Sequence, residues 1–300
     1  MKARAVAVVV ASVCALVPFA DSAAAAPECG AWSASPVAAG YGMLESVAFD
    51  GRGGMLLSEQ AATGSGGGIR RLLPDGGRST VVADVDGPGG LAVSGDLAYF
   101  TTGLSLQAKA SGRPGSLQAV DLSTGAVSPV AQGLSMPDGV AALPGGDFAV
   151  TSDLGADTRI TLVHNGSAAG TLAPTVTSTN GIAYDPARRR LYVTSTFNPV
   201  TTISAIDLAH PDAPEVIELP GLGPLNAADG ITVGPDGHLY VAYSLRGKVI
   251  RVDPGTRQWC TIADNLPLST DVAFGSGPGW DPDSLYVVGY PGTITRLRPA

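Results

Sequence analysis

Ala228-Asp229-Gly230-Ile231-Thr232-Val233-Gly234-Pro235-Asp236-Gly237-His238-Leu239-Tyr240-Val241-Ala242-Tyr243 reads as an apolar run opened by Asp-Gly, a Gly-Pro-Asp-Gly turn, and a second apolar run. Five other segments follow the same plan: Leu44-Glu45-Ser46-Val47, Pro88-Gly89-Gly90-Leu91, Pro137-Asp138-Gly139-Val140, Thr179-Asn180-Gly181-Ile182 and Ser269-Thr270-Asp271-Val272. Their leading apolar residues, Val47, Leu91, Val140, Ile182, Ile231 and Val272, are 44, 49, 42, 49 and 41 residues apart. A period in the forties made of short strands predicts β-propeller blades, because a lone four-stranded sheet cannot bury both faces and must stack on neighbours. The expected fold is all-β: a six-bladed β-propeller of four-stranded antiparallel blades, closed by the N-terminal strand. In the fifth copy the inner strand spans 229–233, and the next three span 239–243, 248–252 and 258–263.

Composition agrees. The chain has 40 Gly and 23 Pro, with 6% aromatic and 15% charged residues, the punctuation of many tight turns. No segment sustains a 3.6-residue apolar period with caps, so almost no helix is expected. Residues 27–300 form one predicted domain, long enough to bury roughly three quarters of the surface of its unfolded chain.

Residues 1–26 read as a secretory signal peptide: Lys2 and Arg4, an apolar stretch from Ala5 to Ala20, then small residues to Ala26. Cys14 lies inside that segment, leaving Cys29 and Cys260 in a compartment where disulfides persist. A propeller that lends its N-terminal strand, here around Trp32–Val37, to the last blade brings Cys29 beside the outer strand of the blade before it. A Cys29–Cys260 bridge is therefore expected, on a secreted or extracytoplasmic protein.

The formal charge of −8 becomes −9 once Lys2, Arg4 and Asp21 are removed, which excludes nucleic-acid binding by electrostatics. Arg188-Arg189-Arg190 is read as a solvated turn. No later segment is long and apolar enough to span a bilayer. The expected partner is a small molecule or a cation, bound by a monomer.

All inner strands run parallel around the axis, so the residues that open them converge at one end of the channel. That ring reads Glu45, Gly89, Asp138, Asn180, Asp229 and Thr270. Carboxylates held close together raise one another's pKa or capture a cation. Hard oxygen donors without His or Cys favour Ca²⁺ first, with Mg²⁺, Mn²⁺ or Zn²⁺ as alternatives. The same Asp-Gly and Asn-Gly pairs also open strands in propellers that hold no metal.

The segments Leu44-Glu45, Asn180-Gly181-Ile182-Ala183-Tyr184-Asp185-Pro186 with Leu191-Tyr192-Val193-Thr194, and Asp229-Gly230-Ile231-Thr232-Val233 with Leu239-Tyr240-Val241-Ala242 resemble the senescence-marker-protein/gluconolactonase (regucalcin-like) family. The resemblance covers essentially all of residues 27–300. It implies one divalent metal in the central channel, held by a Glu of the first blade, Asn residues of the third and fourth, and an Asp of the fifth. Glu45, Asn180 and Asp229 match. The third-blade Asn is replaced by Pro137, so either Asp138 supplies the ligand or water does. Ser46-Val47 replaces the Gly-Pro pair that often follows the family's first-blade Glu. The Arg and Glu that orient sugar lactones have no counterpart that can be located.

The resemblance further implies metal-dependent hydrolysis of small lactones or ester-like substrates, with Asp229 as the general base and Glu45 and Asn180 as plain ligands. A non-catalytic extracellular propeller that binds a ligand or protein is the alternative, and a phosphotriesterase or carbon–nitrogen bond-forming relative a third. Ser58–Gly68, Thr102–Ser116 and Ser195–Thr201 are the longest connections expected at the ring end, with Leu104 and Phe197 as candidate pocket residues. His164, His210 and His238 show no triad or metal spacing, Gly64-Ser65-Gly66-Gly67-Gly68 no phosphate-loop context, and Asn165-Gly166-Ser167 is a glycosylation sequon only by pattern.

Overall fold

A computed structural model describes residues 29–62 and 66–300. The predicted signal segment, with Cys14, lies outside the described residues, as do Gly64 and Ser65. Six four-stranded sheets make up the fold. Blade 1 contains Met43–Phe49, Met55–Gln60, Gly67–Leu72 and Arg78–Val85. Blade 2 contains Leu91–Ser94, Leu97–Thr102, Gly115–Asp121 and Val127–Leu134. Blade 3 contains Pro137–Ala142, Phe148–Ser152, Ile160–His164 and Ser167–Leu172, and blade 4 Thr179–Asp185, Arg190–Ser195, Val200–Asp207 and Glu215–Leu222. Blade 5 contains Ala228–Val233, Leu239–Tyr243, Lys248–Val252 and Trp259–Ala263. Blade 6 takes Ser269–Phe274, Leu285–Gly289 and Thr293–Pro299, and its fourth strand is the N-terminal segment Trp32–Ala38.

Each inner strand alternates apolar side chains between the two neighbouring blades, so the cores lie between blades. Tyr192, Ile203 and Ile217 of blade 4 pack with Ile231, Val241 and Ile250 of blade 5 in one such cluster. The joint between blades 6 and 1 closes the circle and is the most aromatic. Phe49, Trp280 and Tyr286 stack edge-to-face with centroids 5.2–5.4 Å apart, and Trp280 Nε1 donates to the Gly53 carbonyl at 3.0 Å.

Much of the acidity is turn chemistry. Asp121, Asp185 and Asp253 each accept two backbone N–H groups from the next three residues, and Asp50 and Asp207 cap their turns similarly. Arg188 pairs with the buried Asp185 and Arg190 with Glu215, so two of these three arginines brace blade 4, while Arg189 is exposed. One short helix, Leu106–Ser111, interrupts the Thr102–Ser116 connection, capped by Ser105 Oγ and ended by Gly112 at φ 63°. Among the described residues no helix is long and apolar enough to cross a membrane.

Cys29 and Cys260 are bonded, with Cα atoms 5.6 Å apart and a sequence separation of 231. The bridge ties the segment preceding the closing strand to the outer strand of blade 5. Cys260→Ser is expected to lower stability by roughly 2 to 5 kcal/mol through the freed loop entropy, measured by denaturant unfolding with and without reductant. Equal midpoints for both proteins without reductant would contradict this.

Candidate functional site

The inner strands present their opening residues to the channel by a shared device. Register with the second strand shifts between Leu44 and Ser46, Pro137 and Val140, Thr179 and Ile182, Ala228 and Ile231, and Ser269 and Asp271. Each bulge sits at the ring position, and a bulge re-aims a side chain that would otherwise face a neighbouring blade. In blade 2 the inner strand begins only at Leu91, past the ring residue Gly89, yet the Gly89 N–H donates to the Thr101 carbonyl at 3.1 Å and the Thr101 N–H to the Gly90 carbonyl at 3.2 Å, so two residues again face one. The glycine after the ring residue has a separate cause: a Cβ on Gly181 would strike the Asp229 carbonyl, and one on Gly230 the Asp271 carboxylate. Neighbouring inner strands meet at this level.

Threonines of the second strands fix the same tier. Thr101 Oγ1 donates to the Asp138 carbonyl at 2.8 Å, Thr194 Oγ1 to the Asp229 carbonyl at 2.7 Å, and Thr151 Oγ1 to the Asn180 carbonyl. Blades 2, 3 and 4 thus each hold the backbone of the next blade's ring residue. Thr194→Val is expected to cost about 1–2 kcal/mol by taking the hydroxyl from that carbonyl. Denaturant midpoints check this, and a change under a few tenths of a kcal/mol would rule it out.

Glu45, Asp138, Asn180 and Asp229 line one cavity of about 620 Å³ that runs down the channel past Phe49, Tyr184 and Phe274. Glu45, Asp138 and Asn180 are buried, and Asp229 is half-buried. Burial, then the charges of Asp153 and Asp271, pushes the Glu45 carboxyl up to about 8. Burial first and then Glu45 hold Asp138 and Asp229 well above the usual carboxylate range. The four predicted site residues are brought together. Thr270, by contrast, turns its hydroxyl to the Leu44 carbonyl at 2.8 Å and serves the joint between blades 6 and 1.

Asp271, Gln60, Asp153 and Tyr290 join the cluster and were missed by the sequence reading. Asp271 stands where blades 2 to 5 have glycine. Its Oδ2 accepts from Ser46 Oγ at 2.7 Å and from the Val47 N–H at 3.0 Å, tying the last blade to the first, and burial raises it to about 6. The other three occupy one repeat position, two residues beyond the site equivalent to Thr194, where blades 4 and 5 carry Thr196 and Ser244. This second tier stands on the loop side of the ring. Gln60 Nε2 donates to Glu45 Oε2 at 3.2 Å and the Pro88 carbonyl at 3.1 Å. The Tyr290 phenol stands beside Glu45, whose charge, with burial, holds the phenol proton on well above its ordinary range.

Among the described residues no three His, Cys, Asp or Glu side chains form a closed ligand set. The donors that fit a cation include an amide. Asn180 Oδ1 is buried in the ring without a hydrogen-bond partner, as is Asp153 Oδ1 in the second tier. A buried acceptor left without a donor costs about 1–3 kcal/mol. An orphaned amide oxygen amid three inward carboxyls is the donor chemistry of a hard divalent ion. Of the two predicted pocket residues, Phe197 is exposed on the loop face, whereas Leu104 is buried.

Residues 143–289 match the family model described as SMP-30/Gluconolactonase/LRE-like region, supporting the family resemblance from the second strand of blade 3 to the second strand of blade 6, a span that holds Asn180 and Asp229 but not Glu45 or Asp138. No curated protein matches the chain in sequence. Among solved structures, regucalcin from Agrobacterium tumefaciens, described as a calcium-binding protein, is 18% identical, with 89% of this chain and 94% of that one covered and a TM-score of 0.67. A gluconolactonase from Xanthomonas campestris is 15% identical, covers 90% of each chain and gives a TM-score of 0.67. Virginiamycin B lyase from Staphylococcus aureus, 15% identical over 89% of this chain and 98% of that one, superposes with a TM-score of 0.56. The same propeller therefore supports different chemistries.

Proposed function

We propose that this chain, which resembles the SMP-30/gluconolactonase/LRE-like family in sequence and in fold, is an exported hydrolase of small lactones or ester-like substrates that depends on one divalent cation, Ca²⁺ first among them. The observation that carries this reading is the unpartnered, buried Asn180 Oδ1 beside the raised carboxyls of Glu45, Asp138 and Asp229. Similarity to a gluconolactonase and to a calcium-binding regucalcin supports it. The disulfide supports export, since such bonds persist in oxidising compartments.

Glu45, Asn180 and Asp229 would hold the ion, with Asp138 in the place of the family's third-blade Asn. When bound, the cation would polarise the scissile carbonyl and acidify a water. Asp229 takes the proton from the attacking water; it is the least enclosed ring carboxyl and its backbone is fixed by Thr194. Gln60 keeps Glu45 aimed at the axis.

The deciding experiment pairs elemental analysis with hydrolysis of a lactone and ester panel, with and without chelator. One divalent ion per chain is expected, with activity lost on chelation and restored by Ca²⁺. Full turnover in chelator would overturn the reading.

A further inference from the structure

The two sides of the ring differ in chemistry. Towards the channel, each inner strand is the last of its sheet, so its free edge of N–H and C=O groups requires water. Towards the loops, apolar side chains are gathered. Of the nine large apolar side chains exposed among the described residues, Phe197, Val200, Leu222, Leu225, Leu245 and Leu268 all lie on ring-end connections of blades 4 to 6 or at the strand ends that border them. Val127 and Val216 lie on outer strands, and Leu106 stands on the opposite side of the ring end, in blade 2.

The six form one arc because their loops are laced together. Val200 pairs with Leu222, and the Gly223 N–H donates to the Pro199 carbonyl at 3.2 Å. The Ser244 N–H donates to the Ala227 carbonyl at 3.0 Å, and the Leu268 N–H to the Ser244 carbonyl at 2.9 Å. Both ends of the arc are fastened to the ring. Thr196 Oγ1, next to Phe197, donates at 2.8 Å to the carbonyl of Ala228, which precedes Asp229. At the other end the Tyr290 N–H donates at 3.0 Å to the Leu268 carbonyl, and Tyr290 contacts Glu45.

Resting on the hydrolase reading, we propose that the substrate carries an apolar substituent, an alkyl or aryl chain on the lactone or ester, that lies on this arc while its carbonyl reaches the ring between Asp229 and Glu45. A polyhydroxylated sugar would leave these leucines in water and gain little from them. A burial of about 0.8 kcal/mol per methylene corresponds to about fourfold when complete, so a half-covered chain gives about twofold per added methylene.

The test compares γ-lactones from butyrolactone to dodecalactone on the wild-type protein and on Leu245→Ser and Phe197→Ser, both exposed loop positions. Expected are a kcat/KM that climbs about twofold per methylene in the wild type, a flattened climb through raised KM in the variants, and unchanged turnover of butyrolactone. Equilibrium binding of dodecalactone and butyrolactone is measured alongside. Chain-dependent binding that the variants lose, in a protein that turns over no lactone, would refute the hydrolase reading and keep this inference. Equal handling of both lactones by the wild type would overturn it, with or without turnover. So would variants that lose sedimentation with phosphatidylcholine vesicles yet keep the chain-length climb, since the arc would then serve a lipid surface.

Discussion

Asp229→Asn is expected to lower lactone turnover by about 10²- to 10⁴-fold, the usual contribution of a positioned general base, while raising the stability of the chelated protein. The substitution is nearly isosteric and leaves the backbone carbonyl that accepts from Thr194 Oγ1 at 2.7 Å untouched, so the local fold is retained. Removed are one proton acceptor and one of three inward carboxyls whose ionisation burial and Glu45 oppose. An amide in that place relieves repulsion without leaving an empty space. Opposite signs for activity and stability separate a base from a packing residue, because a packing defect lowers both. Steady-state rates on the best panel lactone and thermal unfolding in chelator supply the two readouts. Undiminished turnover, or a chelated protein that melts lower than wild type, would remove Asp229 from this role.

The architecture was legible because the period is carried by backbone chemistry. Apolar leads 41 to 49 residues apart and turn residues between them specify a repeated strand unit, and the closing strand and the disulfide follow from circularity. Glu45, Asp138, Asn180 and Asp229 could be placed by counting back from each lead, since all sit at the bulge of an inner strand. The second tier obeys the same count on the second strand, which puts Gln60, Asp153 and Tyr290 over the ring. They were missed because these positions open loops, where local sequence carries no apolar rhythm. Asp271 had a signal of its own: with Ser46, the residue it hydrogen-bonds, it breaks a column that otherwise reads Gly90, Gly139, Gly181 and Gly230. The apolar arc was not legible, because its six residues lie on four connections that only the lacing of the loops makes adjacent.

Removal of the cation should make the fold lose stability as pH rises, the reverse of the usual response of paired carboxylates. Glu45 ionises near its ordinary value of 4.5 in the unfolded chain and near about 8 in the folded one. Below about 4.5 both states are protonated and no penalty exists. Between about 4.5 and about 8 the unfolded chain releases a proton that the folded chain keeps, and each such proton costs about 1.4 kcal/mol of stability per pH unit. Asp138 and Asp229 shift in the same direction, and Asp271 adds a smaller part that is complete by about pH 6. These protons interact, so their penalties do not simply add, and a net loss of several kcal/mol across the window is expected. For a domain of this size that is on the order of 10 °C in Tm. A divalent cation supplies the missing counter-charge and displaces those protons, so its affinity, and the stabilisation it gives through linkage, must increase over the same pH range. Thermal scans at about pH 5 and about pH 8, each with chelator and with excess Ca²⁺, give four melting temperatures. The calcium effect should be small at the lower pH and on the order of 10 °C at the higher, and both Glu45→Gln and Asp229→Asn should narrow the difference. A calcium effect of one size at both values would mean that the ring does not bind the ion through ionised carboxylates.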